Sequence, residues 1–166
     1  MLRYTDTQVV FREVPGEITL AVNISGCPVR CPECHSKWLW EDRGLELTEE
    51  KLRLLVSANR GVSCVALMGG DAHPKETVRL LSSVKAMFPE LKTCWYSGRS
   101  LVRDRLFLSE CPPDYLKVGP FDPAYGPLDS PTTNQRMYRI TRKEDGAYDY
   151  EDITRKFLPW GGNVVL

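Results

Sequence analysis

The chain has no surplus of either charge, with 22 Lys and Arg against 22 Asp and Glu. That balance gives it no electrostatic pull toward nucleic acid or an anionic membrane, so neither is expected as a partner. It has no apolar run approaching the roughly 20 residues that span a bilayer. Residues 1–10 hold Arg3, Thr5, Asp6 and Gln8 where a secretory leader would carry an apolar core. A cytoplasmic protein is expected. Internal repeats and low-complexity tracts are missing as well. The most informative absence is a fourth cysteine beside the three that cluster. Cys27, Cys31 and Cys34 fall within eight residues as C-x3-C-x2-C, and the other three of the six cysteines are distant in sequence. Four thiolates close a metal site, whereas three leave one coordination position for something else.

What is present describes an ordinary globular chain, 42% apolar and 27% charged over 166 residues. That length buries roughly 70% of its unfolded surface, so neither disulfides nor a structural metal is needed merely to fold. One domain over residues 1–166 is expected, with its core at about 7–142 and a frayed tail at 158–166. Clustered cysteines in a reducing compartment read as metal ligands or catalytic thiols before disulfides.

Strand and helix signals alternate along the chain. Residues 7–14 are rich in β-formers and stop at Pro15-Gly16; residues 18–25 read as a buried strand running straight into the cysteine loop. A helix is expected at 49–59, with Thr48 as N-cap, Glu49 and Glu50 in the first turn and Gly61 as the stop. Its inner face would be Leu52, Leu55, Val56 and Asn59. A strand at 62–68 ends in Gly69-Gly70-Asp71. Pro74 opens a helix to about Phe88, with Val78, Leu81, Val84 and Phe88 inward. A strand over Lys92–Tyr96 ends in Ser97-Gly98-Arg99, and a weaker helix at 101–108 leads to a strand over Tyr115–Val118 that ends in Gly119-Pro120-Phe121. This alternation implies right-handed parallel βαβ units, whose sites lie at the carboxyl ends of the strands. The four turns should gather on one rim. Residues 119–135 form a proline-rich loop without periodicity, and 137–142 with 147–153 flank a hairpin turn at 143–146.

Three thiolates on one short loop can each take an iron corner of a [4Fe–4S] cube, leaving the fourth iron for an exogenous chelator. Gly26 lets the chain approach closely, while Pro28 and Pro32 restrict the loop. Three rather than four thiolates, with Arg30 and Lys37 nearby, should ease reduction within the range of roughly −700 to +450 mV known for such clusters. The alternatives are a Cys3His zinc site that includes His35, as in a zinc-stabilised interaction module, or a disulfide. Adjacent Cys34 and His35 reach one tetrahedral ion poorly, and structural zinc prefers two separated ligand pairs.

Five blocks in order are Ile24-Ser25-Gly26-Cys27, Met68-Gly69-Gly70-Asp71, Trp95-Tyr96-Ser97-Gly98, Val118-Gly119-Pro120-Phe121 and Thr133-Asn134-Gln135-Arg136. With the three-cysteine motif they make the sequence resemble the radical S-adenosylmethionine superfamily. More narrowly, it is similar to the activating proteins of anaerobic, class III ribonucleoside-triphosphate reductases. The resemblance implies an α/β fold, an open partial (β/α) barrel of parallel strands followed by the C-terminal β-hairpin. It implies a [4Fe–4S] cluster on Cys27, Cys31 and Cys34, with S-adenosylmethionine chelating the open iron. Reductive cleavage would give a 5′-deoxyadenosyl radical that takes hydrogen from a glycine of the large reductase subunit. A reduced flavodoxin or ferredoxin would supply the electron. Activation of another glycyl-radical enzyme, or action on a small molecule, are the enzymatic alternatives.

The remaining candidates each have a plainer reading. Gly69 and Gly70 would expose backbone to the methionyl group, or simply turn the chain. Asp71 would hold the methionyl ammonium, or cap the following helix. Glu33 stands where an aromatic residue is common in that superfamily, so Glu33, Cys34 and His35 are candidates for adenosyl binding mainly through their backbone. Ser97, Lys117 and Asn134 are ribose or carboxylate contacts, or turn and surface residues. Cys64 and Cys94 lie in apolar runs and read as core. Cys111 shows no sign of activation. Trp38, Trp40 and Trp95 would shield the cluster or pack the core, and the loop to Arg136 would dock the reductase or cover the surface.

Overall fold

Residues 1–100 and 111–159 are described by a computed structural model. Within them the strands are β1 (Arg3–Val10), β2 (Thr19–Ile24), β3 (Leu45–Glu46), β4 (Cys64–Met68), β5 (Lys92–Tyr96), β6 (Tyr115–Val118), β7 (Arg136–Arg142) and β8 (Tyr148–Asp152). The helices are α1 (Glu49–Ala58) and α2 (Pro74–Met87). The expected helix at 101–108, and the tail beyond Pro159, lie outside the described residues.

One open sheet takes the order β3-β1-β2-β4-β5-β6-β7-β8. Its centre, β2-β4-β5-β6, is parallel throughout, and each of these strands pairs with the next of the set along the chain. All four therefore end on the same edge. Antiparallel strands extend the sheet on both sides, so it is mixed rather than a run of parallel strands alone. Connection length explains this. Residues 11–18 are too few for a crossover, which takes a dozen or more, so β1 must lie antiparallel to β2. The β7–β8 hairpin closes through Lys143 N–H to Ala147 O at 2.7 Å, with Gly146 in the left-handed region.

Local signals account for both helices. The Thr48 hydroxyl accepts the Lys51 N–H at 3.1 Å, and Pro74 opens α2. Leu52 and Val56 of α1 join Val78, Leu80, Leu81 and Val84 of α2 in one core with Leu20, Val22, Ile24, Val65, Leu67, Trp95 and Leu116. Truncating any of the fully buried leucines to alanine costs about 2–5 kcal/mol. The opposite sheet face is lined by Cys64, Ala66, Cys94, Tyr115 and Met137, and is covered by Val14 and Ile153 with Phe157 of a short 3-10 turn. Cys64 and Cys94 are core residues, as expected.

The first strand needs correction. It runs Arg3–Val10 rather than 7–14, and Leu2 and Tyr4 are in the core, which therefore starts before residue 7. The chain leaves the ladder after Val10 to build the Val14–Glu17 turn, closed by Glu17 N–H to Val14 O at 3.1 Å. Gly16, at φ 85°, is the left-handed residue that turn requires. The two-residue strand β3 has no signal in the sequence. Among the described residues no helix is long and apolar enough to cross a membrane.

Candidate metal centre

β2 delivers the chain to the rim, and Ser25 fixes the departure. Buried, it donates its N–H to Arg3 O at 2.9 Å and its hydroxyl to Arg43 O at 2.6 Å, and accepts the Arg43 N–H at 3.2 Å. Gly26 N–H to Glu41 O (3.2 Å) and Cys27 N–H to Leu39 O (2.9 Å) tie the start of the cysteine loop to its end. The loop is thus closed at its neck before any cysteine side chain is engaged. Inside it, Cys34 N–H reaches Cys31 O at 3.2 Å across Pro32 and Glu33. Glu33 has φ 53° and Arg30 φ 49°, left-handed positions that cost a non-glycine residue about 1–2 kcal/mol each.

All three loop cysteines are free and half-buried. Two of the sulfurs accept backbone hydrogen bonds at 3.3 Å, Cys34 Sγ from Ser36 N–H and Cys31 Sγ from Phe121 N–H. Soft donors on one loop, with N–H groups on two sulfurs, suit an iron–sulfur cube that takes one thiolate at each of three corners. Among the described residues no three His, Cys, Asp or Glu side chains are gathered about one metal position.

The other strand ends do come to this rim. Gly69 follows β4 with φ 112°, and a Cβ there would stand 3.1 Å from Ile24 O at the end of β2. Its carbonyl accepts Trp95 Nε1–H at 2.8 Å. Gly70, at φ 94°, is required by its own turn, since a Cβ would stand 2.3 Å from Thr77 Oγ1, which donates to Gly70 O. The Gly69 carbonyl keeps a second lone pair for a ligand, whereas that of Gly70 is filled by the Thr77 hydroxyl at 3.1 Å and the His73 N–H at 3.0 Å. After β5, Gly98 packs against the cysteine loop itself, with its Cβ position 2.8 Å from Val29 Cγ2. Ser97 N–H to Lys117 O and Gly119 N–H to Arg99 O, both 2.8 Å, join the ends of β5 and β6. Phe121 closes the circuit through Cys31 and through its ring, 5.7 Å from that of His35.

Several expected site residues turn out to be engaged with one another. Asp71, 1% exposed, accepts Ser97 Oγ–H at 2.6 Å and Gly98 N–H at 2.9 Å, with the Arg99 guanidinium 3.9 Å away. It does not cap α2, where His73 is the N-cap and makes no side-chain bond. Asp71 and Ser97 form a strap between strand ends. Lys117 is buried on the face opposite the helices and donates to Gly119 O at 2.8 Å. Burial lowers its pKa to about 8, opposed by the negative charge of Cys31, Asp71, Cys34 and Cys27. Asn134 donates from Nδ2 to Pro120 O at 2.9 Å, and its Oδ1 is buried without a partner.

Trp95 is core, Trp38 is 47% exposed, and Lys37 Nζ lies 5.8 Å from the Trp40 ring centre. Sequence reading passed over Val29, Arg99 and the Phe121 N–H. The two side chains had no distinguishing pattern, and a backbone donor leaves no mark in residue type.

The cysteine loop stands at the carboxyl edge of the sheet's parallel centre, and a family match over it gives the class, an iron–sulfur protein. Residues 14–111, which contain all three loop cysteines, match the model of the 4Fe-4S single cluster domain family, and the chain belongs to that family. Comparisons with curated proteins and with solved structures give no match.

Proposed function

We propose that Cys27, Cys31 and Cys34 are the protein ligands of the cluster, that its fourth iron is left to S-adenosylmethionine, and that the protein installs a glycyl radical on an anaerobic ribonucleoside-triphosphate reductase. The observation that carries this reading is the shared rim: the loop that holds three thiols packs on the turn after β5 through Val29 and on the segment after β6 through Cys31, while the glycine turn after β4 lies against the end of β2. When bound and reduced, the cluster would supply the electron that splits the sulfonium into methionine and a 5′-deoxyadenosyl radical.

The chain's part is to bind, orient and keep water out. Gly69 has a carbonyl lone pair to offer the methionyl ammonium, Gly70 turns the chain beside it, and Asp71 holds the adjoining strand end. The peptides of Glu33, Cys34 and His35 would border the adenosyl group, and the His35 ring lies beside that of Phe121, 5.7 Å between centres. With one Nδ2–H on Pro120 O, Asn134 keeps its unpartnered Oδ1 as an acceptor and a second N–H as a donor, a set that fits a ribose hydroxyl. The Lys117 ammonium, with one proton on Gly119 O, is the cation available to a carboxylate. A partial (β/α) barrel is supported by the consecutive parallel order of β2, β4, β5 and β6, with α1 and α2 on one face. The loop over 119–135 would meet the reductase, and a reduced flavodoxin or ferredoxin would deliver the electron.

Anaerobic reconstitution tests the reading. The loaded protein, given dithionite and S-adenosylmethionine, should form 5′-deoxyadenosine, and addition of the reductase should produce a glycyl-radical doublet on that subunit. Iron uptake without nucleoside formation refutes the radical chemistry. A doublet only on another glycyl-radical enzyme refutes the partner.

A further inference from the structure

Asn134 lies about 100 residues from Cys31 in sequence, yet its amide reaches the peptide group that binds that sulfur. The carbonyl of Pro120 and the N–H of Phe121 belong to one planar unit. Asn134 Nδ2 donates to the carbonyl end at 2.9 Å, and the N–H end donates to Cys31 Sγ at 3.3 Å. The amide orientation is fixed by this contact, because the flipped form would set Oδ1 against a carbonyl oxygen. The neighbouring peptides are pinned too. Gly119 donates to Arg99 O and accepts from Lys117 Nζ, and a Cβ at Gly119 would stand 3.2 Å from Gln135 Cα.

We propose that Asn134 is a positioning residue for the iron–sulfur centre. It clamps the Pro120–Phe121 peptide so that its N–H stays on Cys31 Sγ, and thereby raises the reduction potential of the cluster. An N–H donor draws electron density from a ligating sulfur and favours the reduced state, one of the recognised controls on such potentials. A donor to the carbonyl end also polarises the peptide, strengthening the N–H end as a donor. The inference rests on Cys31 being a cluster ligand and is independent of what the cluster then does.

The test is redox titration of the reconstituted protein, followed by electron resonance, with iron per chain measured in parallel. Asn134→Ala should load iron as the parent does and titrate at a more negative potential. Thr132→Ala is the control, because it removes a bond from Oγ1 to Tyr125 O (2.8 Å) in the same loop without touching the 120–121 peptide. An unchanged potential in Asn134→Ala, or the same shift in Thr132→Ala, overturns the proposal. If Asn134→Ala does not assemble, residue-resolved amide exchange on the loaded parent decides. A protected Phe121 N–H supports the clamp, and exchange as fast as a free loop amide overturns it. Failure of the parent itself to bind iron, or full loading of Cys31→Ala, would instead refute the ligand assignment beneath it.

Discussion

Replacing Gly98 by alanine tests whether the turn after β5 and the cysteine loop are shaped to each other. The added Cβ would stand 2.8 Å from Val29 Cγ2 and 3.0 Å from Cγ1, where ordinary contacts begin at 3.4 Å. About 0.6 Å of relief is needed, and Gly98 has little freedom to supply it. Its N–H is held by Asp71 at 2.9 Å, while Ser97 before it is held by both Asp71 and Lys117. Val29 has one stiff side-chain torsion, so the loop between Cys27 and Cys31 must give. Over-packing of this kind costs typically about 1–3 kcal/mol. The assay is a double-mutant cycle read by urea denaturation and by iron taken up on reconstitution. Gly98→Ala should lose stability in that range and load less iron. Val29→Ala removes the two colliding methyls but keeps its Cβ, 3.1 Å from the new one, so it should restore part of both in the double variant. A Gly98→Ala protein as stable and as well loaded as the parent, or a loss that Val29→Ala leaves untouched, would refute the packing argument.

Other consequences are simpler to check. Cys31→Ala should abolish iron loading, whereas Cys64→Ala, in the core behind the sheet, should keep it; metal analysis after anaerobic reconstitution separates the two. Asp71→Ala strands the buried Ser97 hydroxyl and the Gly98 N–H, each worth about 1–3 kcal/mol when left unpaired, and should lower the urea midpoint markedly. In the folded metal-free protein at about pH 8, Cys64 and Cys94 should resist iodoacetamide, because burial raises both thiols far above their ordinary range and only the thiolate reacts. Cys27, Cys31 and Cys34, half-buried, should be alkylated under the same conditions, as mass spectrometry would report.

Much of the scaffold was legible because its signals are local. Thr48, Pro74 and Gly61 mark helix ends through backbone chemistry that acts within a few residues, and β5 and β6 have the expected bounds. The gathering of four strand ends was legible too, since parallel order puts carboxyl ends on one edge. The start of β1 was not: its polar residues hid the alternate burial of Leu2 and Tyr4, which only the ladder with β2 sets. Asp71 and Ser97 read as ligand contacts or as cap and turn residues, because a sequence shows polar groups at strand ends without showing that they face each other. The Phe121 donor and its Asn134 clamp were invisible for a related reason, as they depend on a fold that brings residue 134 to residue 31.

The closed neck of the cysteine loop bears on how its thiols are spaced. Ser25, Gly26 and Cys27 are bonded to Leu39, Glu41 and Arg43 through backbone groups and the Ser25 hydroxyl, and neither core includes the three loop thiols. Small zinc domains need their metal in order to fold. Here the neck bonds of the chain itself fix the two ends of the loop, so the spacing of the thiols is set by the same strand and turn that build the sheet.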